Sequence, residues 1–286
     1  MKKVLVAGAT GYLGMYLVQE LKNRGYWVRV LLRKESQKKY FDYVDDIFIG
    51  QITKPETLKD VTKGIDWVFS TIGITRQKDG LTYMDVDYQG NLNLLRDAEK
   101  TNVDSFLYVS VLSGEKTSNL KIIQAKEKFG SELKQSSIQS CIVRPSGFFV
   151  DLKEFLTMAK KKKIYLIGNG NYKLNPISGY DLAVVCVDSM ESSINEINVG
   201  GPITYTQNEI AELAFKALGI KGKIIHLSLW LRDVFVTLLR TFTSSKFYGP
   251  YEFFLTAMTT DVSTDNYGKE TLEEFYKQEV RNNIGE

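Results

Sequence analysis

Two cysteines and one histidine are all this chain has of the side chains that most often bind metals or form cross-links. Cys141 and Cys186 offer neither a disulfide framework nor metal-ligand spacing, and Cys141, in an apolar strand-like run, reads as a buried reduced thiol. A lone His226 excludes a histidine-rich metal site and leaves Ser-His-Asp chemistry on one unsupported residue; no metal is expected. No Pro- or Ser-rich linker and no internal repeat interrupts the chain. No apolar run approaches the ~20 residues of a membrane-spanning helix. Met1-Lys2-Lys3 runs straight into Val4-Leu5-Val6 without a signal-peptide pattern, so a cytoplasmic, reducing setting is expected. Neither sign of charge dominates: 37 basic and 34 acidic side chains give a net charge of +3, which makes no electrostatic case for nucleic acid. The one dense basic run, Lys160 to Lys163, reads as the solvated C-terminal end of a helix.

What is present is an alternation of strand and helix signals. Val4–Ala7, Val28–Leu32, Val44–Ile49, Asp66–Ser70, Phe106–Val109 and Ser140–Val143 are short apolar runs. Helical spacing fills the intervals at Tyr12–Arg24, Thr57–Lys63 after Pro55, Tyr83–Lys100 and Ile122–Gln135. Such alternation predicts an α/β fold with a doubly wound parallel sheet and right-handed crossovers. Ligands of such sheets sit beyond the carboxyl ends of the strands. After residue 150 the pattern changes: residues 151–205 mix short strands, glycines and helices, and helical patterns follow at 206–218, 228–243, 248–259 and 270–281. The expected organisation is therefore a dinucleotide-binding domain over 1–150 and a smaller α-rich lobe over 151–286, interleaved with the first and serving substrate or partner.

Gly8, Gly11 and Gly14 follow the first strand and open the first helix. In a βαβ series this is the Rossmann pattern: a sharp turn, backbone room for a diphosphate, and close approach of helix to sheet. Amides at the helix start then face an anion, aided by the helix dipole. The second strand ends before Arg33-Lys34, where an NAD site usually places an acid for the ribose hydroxyls. A guanidinium here suits a 2′-phosphate, so NADP(H) is expected in preference to NAD(H), although Glu35 stands close by.

The chain resembles the short-chain dehydrogenase/reductase superfamily in its extended, atypical branch. The resemblance rests on Val4-Leu5-Val6-Ala7-Gly8-Ala9-Thr10-Gly11-Tyr12-Leu13-Gly14, on Asp66 to Gly73, and on Asp87-Tyr88-Gln89-Gly90-Asn91. It extends to Tyr108-Val109-Ser110, Ala125-Lys126 and Val143-Arg144-Pro145-Ser146-Gly147-Phe148. It is most similar to the subgroup of NmrA-like regulators, isoflavone-reductase-like enzymes, divinyl chlorophyllide reductases and the NADPH-binding accessory subunit of respiratory complex I. It covers the first 150 residues well and the remainder loosely. It implies that Thr10, Tyr12 and Leu13 meet the diphosphate, that Thr71, Ile72 and Gly73 pass beside adenosine and ribose, and that Pro145, Gly147 and Phe148 flank the nicotinamide. It also implies that Lys126 holds the nicotinamide ribose and that Ser110, with Ser113 nearby, is the usual active-site hydroxyl. Catalytic members carry Tyr-x-x-x-Lys; here Ile122, which transfers no proton, stands in the tyrosine position.

Two readings follow. In one, the protein is an NADP-dependent oxidoreductase that passes hydride to a small apolar or conjugated substrate, with Lys126 as the acid, its pKa moved towards neutrality by desolvation, and Ser110 beside it. In the other, it binds NADP(H) without turnover, as a redox sensor or an assembly or accessory protein. Sugar-nucleotide epimerisation suffers most from the missing tyrosine. The apolar stretch 228–258 reads chiefly as core, because aromatic stripes at helical spacing usually mean burial; the alternative is a substrate wall or a face for a protein or membrane partner. Asp181 is expected to cap a helix running to Met190.

Overall fold

The computed structural model describes residues 1–75, 80–114 and 117–282. Along the chain run β1 (Lys3–Ala7), α1 (Tyr12–Asn23), β2 (Trp27–Leu32), β3 (Asp46–Ile49), β4 (Trp67–Ser70), α2 (Asn91–Lys100), β5 (Ser105–Val109), α3 (Lys121–Gln135) and β6 (Gln139–Pro145). There follow α4 (Lys153–Lys160), β7 (Lys163–Ile167), β8 (Lys173–Leu174), α5 (Gly179–Glu191), β9 (Glu196–Val199), β10 (Tyr205–Thr206), α6 (Gln207–Ala217), β11 (Lys223–Leu227), α7 (Leu229–Phe242), α8 (Ser245–Ala257) and α9 (Leu272–Asn282). Seven strands form one sheet in the order β3-β2-β1-β4-β5-β6-β9, with parallel pairing from β3 through β6. This is the doubly wound Rossmann-type order: the chain steps outward from β1 on one side, then returns to build the other half from β4. The carboxyl ends of β1 and β4 thus lie side by side, where the strand order reverses.

The described chain divides into two compact units that interleave in sequence. The first comprises Met1–Val111, Lys121–Arg144 and Leu182–Ile197. Its central strands β1, β4 and β5 are buried on both faces, as near-continuous apolar runs require, and Leu5, Val68, Phe106, Tyr108, Phe129 and Ile142 belong to its core. The second comprises Leu112–Leu120, Pro145–Asp181 and Asn198–Glu286, around a separate core that includes Phe149, Phe155, Phe215, Leu272 and Tyr276.

Several local expectations are corrected. Thr57–Lys63 is not an α-helix: Pro55–Leu58 makes a 3₁₀ turn, and Asp60 turns left-handed at φ 65. The Asp97 carboxylate takes the amides of Asp60 and Thr62 at 3.2 and 3.0 Å, so these amides bond to a side chain instead of a helix ladder. The pattern Tyr83–Lys100 is helical, but Met84–Gly90 is π-wound before α2 begins. Such stretches recur at functional sites. Asp181 does not cap α5. It lies inside the first turn, where its own amide is capped by Ser178 Oγ at 3.0 Å, and its Oδ2 accepts the amides of Lys269 and Glu270. The basic run straddles the expected helix end: Lys160 closes α4 and Lys163 opens β7. The stretch 228–258 is the largest departure: α7 has no buried residue, and α8 buries only Gly249 and Glu252.

Candidate functional site

β1 runs into a turn that only glycines accommodate. Gly8 sits at φ +87, and a Cβ there would meet Thr71 Oγ1 at 2.5 Å. A Cβ on Gly14 would overlap the Gly8 carbonyl and the Ala9 backbone, so α1 can lie this close to β1 only without a side chain at that position. Gly11 donates its amide to Gly8 O at 2.9 Å and serves as N-cap of α1 in extended conformation, with no side chain capping the helix start. Amides at Tyr12, Leu13 and Gly14 therefore head a helix with no acidic residue in its first turn. Thr10 is exposed beside them. A backbone cradle of this kind, backed by a helix dipole, fits a diphosphate.

Across the switch in strand order, Thr71 follows β4 and is tied to the cradle: its amide donates to Ala7 O at 3.0 Å and its hydroxyl to the same oxygen at 3.2 Å. Ile72 is buried and Gly73 exposed. Asn91, fully buried at the start of α2, holds this turn, accepting from Ser70 Oγ at 2.5 Å and donating to Asp87 O at 2.9 Å and Ile72 O at 3.4 Å. At the end of β2, Arg33 and Lys34 are exposed, and neither side chain has an ion pair among the described residues. Glu35 is engaged instead with Lys38 at 2.7 Å.

Lys126, on the buried face of α3, is 9% exposed. Its Nζ lies 2.8 Å from Oδ1 of Asp87, a carboxylate with no exposed surface that the π-wound stretch carries to this position. The other oxygen, Oδ2, accepts the Ile74 amide at 3.2 Å. Beyond this ion pair, Oδ1 has no hydrogen-bond partner among the described residues. Gly73 closes over the pair: a Cβ there would stand 2.6 Å from Lys126 Nζ and 2.7 Å from Asp87 Oδ1. The Tyr108 ring lies beneath, its centroid 5.7 Å from Nζ. Its buried hydroxyl has no directed hydrogen bond among the described residues.

The electrostatics run in the opposite direction to one expectation. Burial alone would lower the Lys126 pKa, but the neighbouring Asp87 charge and Tyr108 outweigh it and hold the amine above its ordinary value. Burial lifts the Asp87 carboxyl, with Lys126 opposing it. The balance at Lys126 thus runs away from neutrality, opposite to the direction of desolvation alone. Ile122, one helical turn earlier, is buried. Ser110, just past β5 and buried, donates its amide to Val143 O at 2.8 Å, and its hydroxyl lies 3.4 Å from Arg144. Arg144 is itself clamped by both oxygens of Glu127 and by Glu196. Pro145 closes β6, and Gly147 and Phe148 follow in the second unit, where Ile177 donates its amide to Gly147 O at 2.9 Å. Sequence reasoning assigned no role to Asp87 or Asn91. Asp87-Tyr88-Gln89-Gly90-Asn91 stood out only as part of a resemblance, and nothing local says that Asp87 faces Lys126.

A parallel sheet with a glycine cradle at its switch point, an uncapped helix start and a buried lysine beyond it defines a nucleotide-cofactor-binding α/β protein. The NAD(P)H-binding family model matches residues 8–193, and the chain belongs to that family. It is 28% identical to the chloroplastic divinyl chlorophyllide a 8-vinyl-reductase of Arabidopsis thaliana, over 97% of this chain and 76% of the reductase. It is 27% identical to a photosystem II assembly factor of Trieres chinensis, over 80% of this chain and 73% of the factor. Among solved structures, the NADPH-dependent quinone oxidoreductase of Escherichia coli, determined with NADPH, superposes with a TM-score of 0.75 at 15% identity, covering 97% of this chain and 99% of that one. The UDP-glucose 4-epimerase of Thermotoga maritima superposes equally, at 0.75 and 15%, covering 99% of each chain. At such identities the likeness is one of fold.

Proposed function

We propose that the protein binds NADP(H) in preference to NAD(H) and uses it to reduce a small apolar or conjugated substrate. The cofactor would supply the hydride. Gly8, Thr10, Gly11, Tyr12, Leu13 and Gly14 would hold its diphosphate, with Thr71, Ile72 and Gly73 beside the adenosine and ribose. Arg33 and Lys34 would pair with the 2′-phosphate; the observation that carries this preference is their exposure just past β2, while Glu35 is occupied by Lys38. Lys126 would donate to the nicotinamide ribose, since an ammonium has three donors and Asp87 is its one ion-pair partner among the described residues. Because Asp87 strengthens its hold on the proton, Lys126 suits protonation of a strongly basic carbon, such as that left by hydride addition to a conjugated double bond. Ser110 would stand by as the hydroxyl beside the reacting group. Such an acceptor accords with the vinyl reductase among the relatives.

The test is paired titration of the protein with NADPH and NADH. Arg33→Ala should weaken NADPH binding about tenfold or more, the scale of one lost charge-assisted contact, and leave NADH nearly unchanged. Equal losses would sink the preference.

A second reading, a cofactor-binding assembly or accessory protein without turnover, is favoured by the buried Ile122 in the place of an acid and accords with the assembly factor among the relatives. NADPH consumption with quinones, enones and aldehydes separates the two. No turnover with any acceptor, and no change on Lys126→Ala, would leave the second reading standing.

A further inference from the structure

β11 delivers the chain directly into α7, whose 14 residues include none that is buried. Its half-buried positions, Arg232, Val236 and Leu239, recur at helical spacing, and α7 packs against α8. Turning the other residues about the axis, at about 100° each, gathers Trp230, Leu231, Val234, Phe235, Leu238 and Phe242 into one arc about 140° wide. All six are exposed, from 41% at Leu231 to 79% at Phe242, and the one other residue in the arc, Thr241, is uncharged. Four of the hairpin's charged side chains pair within it, Arg232 with Asp233 and Arg240 with Glu252, and Arg232 also bonds Thr259 beyond α8. Phe242 and Phe247 flank the link between the helices, and Tyr251 and Phe254 continue an exposed stripe along α8. An uncharged aromatic and aliphatic face of this breadth is not what a lone water-facing helix carries.

The same unit holds the densest positive charge. Lys163 and Lys223 are register partners at the start of β7 and β11, and the Lys223 amide donates to Lys162 O at 3.0 Å. With Lys160, Lys161 and Lys221 they make six exposed lysines, none in an ion pair among the described residues. An anionic lipid surface would attract such a cluster. At about 21 Å, α7 is too short for the ~30 Å hydrocarbon core, and among the described residues no helix is long and apolar enough to cross a membrane. Such a helix lies in the interface plane, its apolar face among the acyl chains.

We infer that the α7–α8 hairpin docks the protein on an anionic membrane surface, with the apolar arc of α7 embedded in the interface and the lysine cluster supplying attraction to the headgroups. This holds whether or not the cofactor reading does. The experiment uses the full chain with phosphatidylcholine vesicles, with and without phosphatidylglycerol, read by co-sedimentation and tryptophan emission. Binding should favour the anionic vesicles and weaken with salt, with a blue shift that disappears in Trp230→Phe. Leu238→Asp and Phe242→Asp should each lower partitioning about tenfold or more, with circular dichroism and NADPH affinity unchanged. Lys161→Glu combined with Lys223→Glu should remove the preference for anionic lipid. The inference is overturned by failure to bind anionic vesicles, or by binding indifferent to Leu238→Asp. A concentration-dependent dimer that Leu238→Asp dissolves, without vesicle binding, would assign the arc to a second copy instead.

Discussion

Consider Asp87→Asn. The substitution keeps the shape of the side chain and removes one charge facing Lys126 at 2.8 Å, where Asp87 has no exposed surface and Lys126 only 9%. Deleting one partner of a buried pair leaves the other charge uncompensated and costs about 3–5 kcal/mol. For a chain of this size, each kcal/mol moves the melting temperature by about 2–4 °C, so a fall on the order of 10 °C is expected by circular dichroism. Lys126→Met should cost a similar amount, but the double variant should cost clearly less than the sum, with a coupling of about 2 kcal/mol or more. NADPH titration adds a readout that a purely structural role would not move. In the native protein the Asp87 charge holds the Lys126 pKa above its ordinary value, so the ammonium persists at every pH below that value and is lost only as pH climbs through it. In Asp87→Asn, burial acts with far less opposition and lowers that pKa. NADPH affinity should then decline as pH rises through the lowered value, while the native protein stays flat. Additive single and double variants, together with a flat pH profile for Asp87→Asn, would refute the reasoning.

Gly14→Ala places a Cβ on the Gly8 carbonyl and should cost about 1–3 kcal/mol by overpacking, with NADPH binding lost more steeply than stability; an unchanged Kd would show that the cradle is not used. Cys141 and Cys186 are both buried, and burial pushes the Cys141 thiol up to about 12, so both should resist thiol reagents in the native protein and react only on unfolding. Partial burial raises the Glu196 pKa, but Lys134 and Arg144 outweigh it and hold the carboxyl below its ordinary value. Its contribution to stability is therefore present above the ordinary carboxylate pKa and is lost as pH falls through the lowered one. Acid denaturation of Glu196→Gln should show a shallower loss over that range.

Much of the fold was legible because its signals are local. Short Val/Leu/Ile runs separated by helical spacing announce a parallel α/β sheet, since strands buried on both faces must be apolar throughout. The three glycines after β1 announce a close turn, because only a missing Cβ allows it. Arg33 could be read as a candidate for the cofactor's extra phosphate because its place follows from strand order and loop length. Each inference needs only residues within one element or its immediate neighbour.

What failed to show depended on partners far away in the chain. The Thr57–Lys63 pattern promised a helix, and Asp97, from α2, takes its amides instead. Asp181 suggested a cap, and it holds the backbone of Lys269 and Glu270. Lys126 was recognisable as a lysine after β5, but the carboxylate facing it, Asp87, is carried in by a π-wound turn and roofed by Gly73. The apolar stripe of α7 was plain in the sequence, and its exposure was not. Periodicity tells which face of a helix is apolar, because that depends on spacing alone. What covers that face, and which charge stands beside a buried lysine, is decided only when distant segments are packed together.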